Sequence, residues 1–239
     1  MAGVVKVVHS WRCVSDAVVA ALSEPTTDPF IRPILVAPGN AQSRSLLQSL
    51  ARRHGIAAGI DTTTPLGLRE RLEEDLLGIK RENDPWQPGP LALRICRVIE
   101  NNSPGFEVVS AHLEASRRQG VPRATWTTAR QAADAICALA RDSHDVLNAW
   151  ADGAAPTSHQ GDTDLAGDPL DPARAWWAPL WRTLLAEPCH VPDPVSRHQL
   201  LVDTILTQSR SEPPIVWFSS TTTAQHDVSL AEALSTSHD

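Results

Sequence analysis

The chain has 239 residues, enough for one large domain or two small ones, and its apolar content of 42% is ordinary for a soluble globular protein. It contains no apolar run of the roughly 20 residues that cross a bilayer and no signal-peptide pattern at its start, so we expect a cytoplasmic protein with no membrane partner. The formal net charge of −7 argues against a protein that binds nucleic acid over its whole surface.

Residues 1–64 alternate between short apolar runs and amphipathic stretches. Residues 4–8 predict a buried strand, and Val14, Val18 and Leu22 fall on one face of a following helix. Residues 34–36 predict a second buried strand. A second helix, marked by Leu46 and Leu50, should end at Gly55, which suits a carboxyl-terminal cap. This order is typical of an α/β fold with a parallel sheet.

Residues 65–194 predict helices, beginning with the favourable start Thr64-Pro65. Four apolar stripes have helical spacing: Leu68, Leu72 and Leu76; Leu91, Ile95, Val98 and Ile99; Ala132, Ala133, Ile136, Cys137 and Ala140; and Trp176, Trp177, Leu180, Trp181 and Leu184. We expect Trp176, Trp177 and Trp181 to pack in a core or at a subunit interface rather than to stack on bases. Residues 151–172 contain five aspartates and no cation, which predicts an acidic mobile loop within this mainly helical insertion.

Residues 195–239 return to the α/β pattern. A helix is predicted from Val195 to Gln208, a strand over residues 215–218 and a last helix around residues 228–234. We therefore assign residues 1–64 and 195–239 to one α/β core. Because the pattern stops where a further strand is expected, we interpret this core as incomplete at its carboxyl end, as in a truncated piece.

The sequence lacks the groups that hold a nucleoside triphosphate. A phosphate-binding loop needs glycines, whose backbone amides surround the phosphates, and a lysine that neutralises their charge. The only lysines are Lys6 and Lys80, and residues 9–16, where the loop would lie, contain no glycine. The dinucleotide, esterase and zinc-protease signatures are absent as well. We predict no catalytic residues, no ATP hydrolysis by this segment and no cofactor.

Cysteines and histidines are scattered rather than clustered. The four cysteines are Cys13, Cys96, Cys137 and Cys189. We expect them to be small apolar side chains, with neither a metal site nor a disulfide. The pairs His144-Asp145 and His226-Asp227 are adjacent in sequence, and adjacent helical side chains point in different directions. We interpret these histidines as surface or capping groups; a Ser/His/Asp site assembled by the fold is the alternative.

Two predicted helices are locally basic. The first carries Arg44, Arg52 and Arg53 without any acid, and the second carries Arg117, Arg118, Arg123 and Arg130. Such patches can contact phosphates even on an acidic protein, because electrostatic fields are local at physiological salt. A solvated helix face is the commoner explanation of the same pattern.

Several stretches, taken in order, resemble a known family. They are Val7-Val8-His9-Ser10 with Asp28-Pro29-Phe30 and Ile34-Leu35-Val36; residues 48–61; Asp84-Pro85-Trp86; Gln131-Ala132-Ala133-Asp134; residues 173–181; and residues 214–218. In order and spacing they resemble the amino-terminal region of the gamma subunit of exodeoxyribonuclease V, the RecC family. The ordered set carries the resemblance, which covers most of the chain apart from the acidic loop.

The resemblance implies a fold and a function. The fold would be a degenerate superfamily 1 helicase-like (P-loop NTPase-like) domain whose phosphate loop has decayed. The function would be that of a non-catalytic DNA-binding subunit in a helicase/nuclease complex. That complex processes double-strand DNA ends for recombinational repair and scans single-stranded DNA for a Chi-type signal. The implied partners are single-stranded and duplex-end DNA, the beta (helicase/nuclease) subunit and the alpha (helicase) subunit.

The resemblance also implies where DNA would bind. In the family, the segment after the second strand faces the single-stranded DNA tunnel, and residues 37–44 match it here. Asn40 and Gln42 can read base edges, and Arg44 can contact phosphate or guanine at the start of a helix. Arg123 matches a basic family position near the path of the strand.

Two alternatives belong to other classes. One is a helicase–nuclease subunit that retains its ATPase, against which the lysine count argues. The other is an unrelated α/β domain that binds a small ligand in the crevice beyond Val36. Salt-dependent binding of oligonucleotides would distinguish a DNA-binding subunit from that domain.

Overall fold

The computed structural model describes residues 10–23, 31–101, 105–153, 176–207, 213–219 and 224–236. The helices in these ranges are α1 (Trp11–Leu22), α2 (Asn40–His54), α3 (Pro65–Leu77), α4 (Pro88–Glu100), α5 (Glu107–Arg118), α6 (Ala124–Asp142), α7 (His144–Ala151), α8 (Trp177–Ala186), α9 (Pro194–Thr207) and α10 (Gln225–Thr236). The strands are β1 (Ile34–Val36), β2 (Asp61–Thr63) and β3 (Ile215–Trp217). The predicted strand over residues 4–8 and most of the predicted acidic loop lie outside the described residues.

The three strands form a parallel sheet in the order β2-β1-β3. Val36 pairs with both Thr63 and Trp217, so the three strands end at the same level. The chain is mostly helical with a small parallel sheet, which agrees with the predicted α/β class. The prediction missed β2, because its polar residues give no apolar run. Backbone pairing with β1 fixes this strand: the Ala37 N–H donates to the Thr63 carbonyl oxygen over 3.0 Å.

Helices cover both faces of the sheet. Ile34 and Val36 of β1 pack with apolar side chains of three helices: Leu68 and Leu72 of α3, Leu201 and Ile205 of α9, and Leu230, Ala233 and Leu234 of α10. Leu35 and Ala37 point the other way and pack with Val18 of α1, Leu46 of α2 and Phe218. A strand buried on both faces carries a continuous apolar run, which is why β1 was predictable.

The boundaries of two helices follow the sequence signals. Gly55 caps α2 with a φ of 80°, in the left-handed region that favours glycine. The Thr64 hydroxyl accepts a hydrogen bond from the Gly67 N–H at the start of α3, with Pro65 as the first helical residue. Both predicted boundaries are confirmed.

The chain divides into two compact units, Met1–Lys80 with Leu200–Asp239, and Arg81–Gln199. The first unit contains the sheet and extends past residue 64, where the sequence placed its boundary. The reason is that Leu68 and Leu72 place α3 against the sheet. In the second unit the described residues form helices α4 to α8 and the start of α9, and the apolar stripes predicted α4, α6 and α8 among them. Its tryptophans are largely buried, with Trp86 and Trp181 in ring contact at 5.6 Å.

A buried ion pair joins distant segments of the second unit. Both carboxylate oxygens of Asp84 accept hydrogen bonds from Arg197 at 2.8 Å, and Asp84 also accepts the Trp86 N–H. Burial would raise the pKa of Asp84, but the hydrogen bonds and charge of Arg197 hold it below its usual range. The Arg94 guanidinium lies 4.4 Å above the Trp86 ring and donates to Glu187.

A cysteine of the same unit is also affected by burial, which raises the pKa of the Cys137 thiol to about 11.

Candidate nucleic-acid interface

Helix α2 begins where the central strand of the sheet ends. Val36 closes β1, Pro38 and Gly39 form the turn, and Asn40 is the first helical residue. Because β2 and β3 are parallel to β1 and in register with it, their carboxyl ends lie at this same edge. In open parallel sheets this edge is where ligands bind.

The start of α2 lacks a side-chain cap. The first N–H groups of any helix have no partner within it, and polar side chains commonly satisfy them. Ser10 caps α1 through the Cys13 N–H, and Thr64 caps α3. At α2 the capping position is Gly39, which makes no side-chain hydrogen bond. Amides at this helix start can therefore face an anion.

The structure brings two of the predicted contact residues onto one face. Asn40 and Arg44 are exposed and lie four residues apart on α2, so their side chains are neighbours. Gln42 is half-buried on another face. Its Oε1 lies 3.2 Å from the position that a β-carbon on Gly39 would occupy, so this side chain folds back over the turn.

The charge on α2 is concentrated in arginines with different surroundings. Arg53 lies 3.6 Å from Asp16 of α1. Within the described part of the chain, Arg44 and Arg52 have no acidic partner. Arg44 lies in the second turn of this uncapped helix, so a phosphate group at the helix start could meet both the amides and the guanidinium.

Arg123, the fourth predicted contact, belongs to the second unit. It is exposed and precedes α6 with a φ of 58°, a left-handed conformation that is uncommon for a residue other than glycine. The arginines around it are partly neutralised, since Arg118 pairs with Glu114 and Arg130 with Asp134. In the described ranges no acid pairs with Arg123 or with Arg117, whose guanidinium donates to the Thr125 hydroxyl.

Two further hydroxyls at the sheet edge were not predicted. Thr63 ends β2 and Thr64 follows it, both half-buried. The Thr63 Oγ1 lies 2.5 Å from the position that a β-carbon on Gly67 would occupy, so Gly67 leaves the space that this hydroxyl needs. The run of three threonines before Pro65 was the available signal.

One prediction about histidine is wrong. His226 and Asp227 were expected to point apart, but His226 Nε2 lies 3.2 Å from Asp227 Oδ1, which also accepts a 2.9 Å hydrogen bond from Arg69. The buried guanidinium of Arg69 on α3 draws the carboxylate inward at the start of α10. Burial would raise the pKa of Asp227, but His226 and Arg69 hold it below its usual range. This cluster connects α3 to α10.

Two other features bear on the kind of site. Among the described residues, no three His, Cys, Asp or Glu side chains come together as metal ligands. No described helix combines the length and apolar character that spanning a membrane requires.

Comparison with known proteins identifies the family. The family model for the RecC N-terminal domain matches residues 8–236. RecBCD enzyme subunit RecC from two strains of Mycobacterium tuberculosis is 29% identical to this chain over an alignment of 248 positions. The alignment covers 94% of this chain and 20% of each relative. RecBCD enzyme subunit RecC from Mycolicibacterium smegmatis is 27% identical over 237 residues, covering 94% of this chain and 19% of that protein. The chain thus spans about a fifth of the length of these curated relatives, and it belongs to the RecC N-terminal domain family.

Proposed function

We propose that this chain is part of a non-catalytic DNA-binding subunit in a helicase/nuclease complex. The complex would process double-strand DNA ends for recombinational repair and scan the emerging single strand for a Chi-type signal. Its partners would be single-stranded and duplex-end DNA, a beta subunit (helicase/nuclease) and an alpha subunit (helicase). The relatives are RecC subunits of the RecBCD enzyme, and this similarity supports membership in such a complex.

The start of α2 carries the proposal. It combines an uncapped helix start, the exposed side chain of Asn40 and the Arg44 charge at the carboxyl edge of a parallel sheet. A phosphate would accept hydrogen bonds from the free amides and from Arg44, while Asn40 would reach a base edge. Gln42 would join them after turning away from Gly39, and Arg123 would supply a separate phosphate contact from the second unit.

The sheet and its flanking helices support a degenerate helicase-like origin for the first unit. Where a motor would carry its phosphate loop, the described residues begin α1 with Ser10 capping the helix. With lysine only at positions 6 and 80, the sequence offers no candidate for the lysine of such a loop. Membership in the RecC family argues against the alternative of an unrelated small-ligand domain.

Replacing Arg44 tests the proposed contact. Arg44→Ala should weaken single-stranded DNA binding several-fold at low salt, because one phosphate contact is lost. The slope of log affinity against log salt concentration should fall in magnitude by about 0.7. Fluorescence anisotropy of a labelled oligothymidylate over a salt series measures both.

Arg52→Ala is the matched control, since this exposed arginine lies in the last turn of the same helix and also lacks an acidic partner in the described residues. It should leave affinity and slope close to those of the parent chain. Equal effects of the two substitutions, or no effect of Arg44→Ala, would rule out the contact at the start of α2.

A further inference from the structure

An exposed indole lies beside the start of α2. Trp11, the first residue of α1, is 44% exposed, and its ring meets that of Phe218 in a T-shaped contact with centroids 5.5 Å apart. Phe218 follows β3 directly, and its N–H donates to the Val36 carbonyl oxygen over 2.8 Å. Trp11 therefore lies at the carboxyl edge of the sheet, beside the strand that leads into α2.

Helices α1 and α2 pack side by side and point the same way. The Ser23 hydroxyl after α1 and the His54 ring at the end of α2 are 3.0 Å apart, so the carboxyl ends of the helices meet. Their first residues both lie at the carboxyl edge of the sheet. The helices contain 12 and 15 residues. At about 1.5 Å per residue, their starts differ by only about 5 Å along the axis, which is about one helical turn.

The T-shaped contact leaves ring surface available. In this geometry the edge of one ring meets the face of the other, so at least one face of the Trp11 indole is not covered by Phe218. Trp11 lies three residues before Val14 and seven before Val18, so it is on the same face of α1 as these two residues. Arg12, the next residue, is exposed and has no acidic partner in the ranges that the structure describes, which makes the surroundings of the ring favourable to a polyanion.

We propose that Trp11 stacks on a base of a single DNA strand whose backbone lies against Asn40 and Arg44. The inference deepens the proposed function and rests on it. Every base presents a π-face, so stacking adds affinity without strong preference for one sequence. Trp11 would hold a base flat while Arg44 holds the neighbouring phosphate, and together they would fix the path of the strand across the sheet edge.

The test compares the binding of a normal oligonucleotide with the binding of one that has no bases. Trp11→Ala should bind an ordinary oligothymidylate about tenfold more weakly than the parent chain, with an unchanged salt slope, since no phosphate contact is lost. Trp11→Phe should retain most of the affinity. On an oligonucleotide of the same length made of abasic sites, the parent chain and Trp11→Ala should bind equally. Trp126→Ala is the matched control, because Trp126 is 40% exposed but lies in the second unit.

Each outcome has a defined meaning, provided that circular dichroism shows every variant folded. Loss of affinity in Trp11→Ala on normal DNA only, with Trp126→Ala unchanged, supports stacking. An equal loss on abasic DNA, or no loss, overturns it. If Arg44→Ala weakens binding and Trp11→Ala does not, the stacking inference alone fails. If the parent chain binds no single-stranded DNA, the proposed function fails and the inference falls with it.

Discussion

Asp84 connects segments of the second unit that are far apart in the sequence. Its carboxylate accepts hydrogen bonds from Arg197 and from the Trp86 backbone N–H. The Trp86 indole N–H in turn donates to the Val191 carbonyl oxygen over 3.2 Å. Asp84 and Arg197 are both almost fully buried. Removing one member of a buried pair leaves the other charge uncompensated, which destabilises a protein far more than loss of a surface pair.

Asp84→Asn should lower the free energy of unfolding by roughly 3–5 kcal/mol at neutral pH. Because the folded-state pKa of Asp84 lies below its unfolded value, its stabilising contribution is present above the unfolded pKa and is lost as the pH falls through the folded pKa. The difference between parent and variant should therefore shrink in acid. Urea denaturation at a series of pH values measures it.

Asp134→Asn provides the comparison for this substitution, since it breaks an exposed pair with Arg130 that lies within one helix. It should change the free energy of unfolding by less than about 1 kcal/mol. A difference between the parent and Asp84→Asn that stays constant from neutral to acidic pH would show that the carboxylate charge contributes nothing.

At the scale of elements, the junction between β2 and α3 depends on the absence of one side chain. Thr63 Oγ1 occupies the space beside Gly67, and the Gly67 N–H is bonded by Thr64. Alanine in a helix is ordinarily favoured over glycine by about 1 kcal/mol. Here a methyl group on residue 67 would meet the hydroxyl of Thr63, which belongs to a stiff β-branched side chain and donates to the Thr64 carbonyl oxygen.

Gly67→Ala should therefore destabilise the parent chain, whereas in a Thr63→Ala background the same change should stabilise it by up to about 1 kcal/mol. Chemical denaturation of the two single variants and the double variant gives the interaction free energy. Additive effects would mean that the Thr63 hydroxyl does not restrict residue 67.

The sequence predicted those helices and strands whose structure is determined by their own residues. The apolar runs of β1 and β3, the glycine after α2 and the Thr64-Pro65 start all act locally, so their structures follow from pattern. β2 depends on pairing with β1 and has no pattern of its own. For the candidate site, the type and position of Asn40 and Arg44 were accessible from the sequence. The exposure of Trp11 was not accessible from the sequence, because it depends on how α1 packs against the sheet.

The arginines of residues 117–130 show a related limit. They looked like one basic stretch, yet Arg130 on α6 pairs with Asp134 four residues later, and Arg118 on α5 pairs with Glu114 four residues earlier. The spacing of four residues was visible in the sequence and would have reduced the predicted patch to Arg117 and Arg123.

At the scale of the whole molecule, each compact unit has its own buried ion pair. Asp84 and Arg197 belong to the second unit, and Asp227 and Arg69 belong to the first. Proteins open locally in cooperative units. Removing one ion pair should therefore increase local opening mainly within its own unit.

Hydrogen exchange measured by mass spectrometry tests this independence. Asp84→Ala should speed exchange in peptides from α4 and α6, with little change in β1 and α2. Asp227→Ala should do the reverse, so the two variants serve as controls for each other. Equal acceleration throughout the chain in either variant would show that the two units open as one.

Gly39 has a consequence for how this protein could be engineered. A serine or aspartate in place of Gly39 would accept hydrogen bonds from the first amides of α2 and stabilise the helix. Selection for thermal stability would favour such a replacement. The new group would occupy the same amides that we assign to DNA, and it would displace Gln42. Such a variant should therefore gain stability and, if the proposed contact exists, lose affinity for DNA.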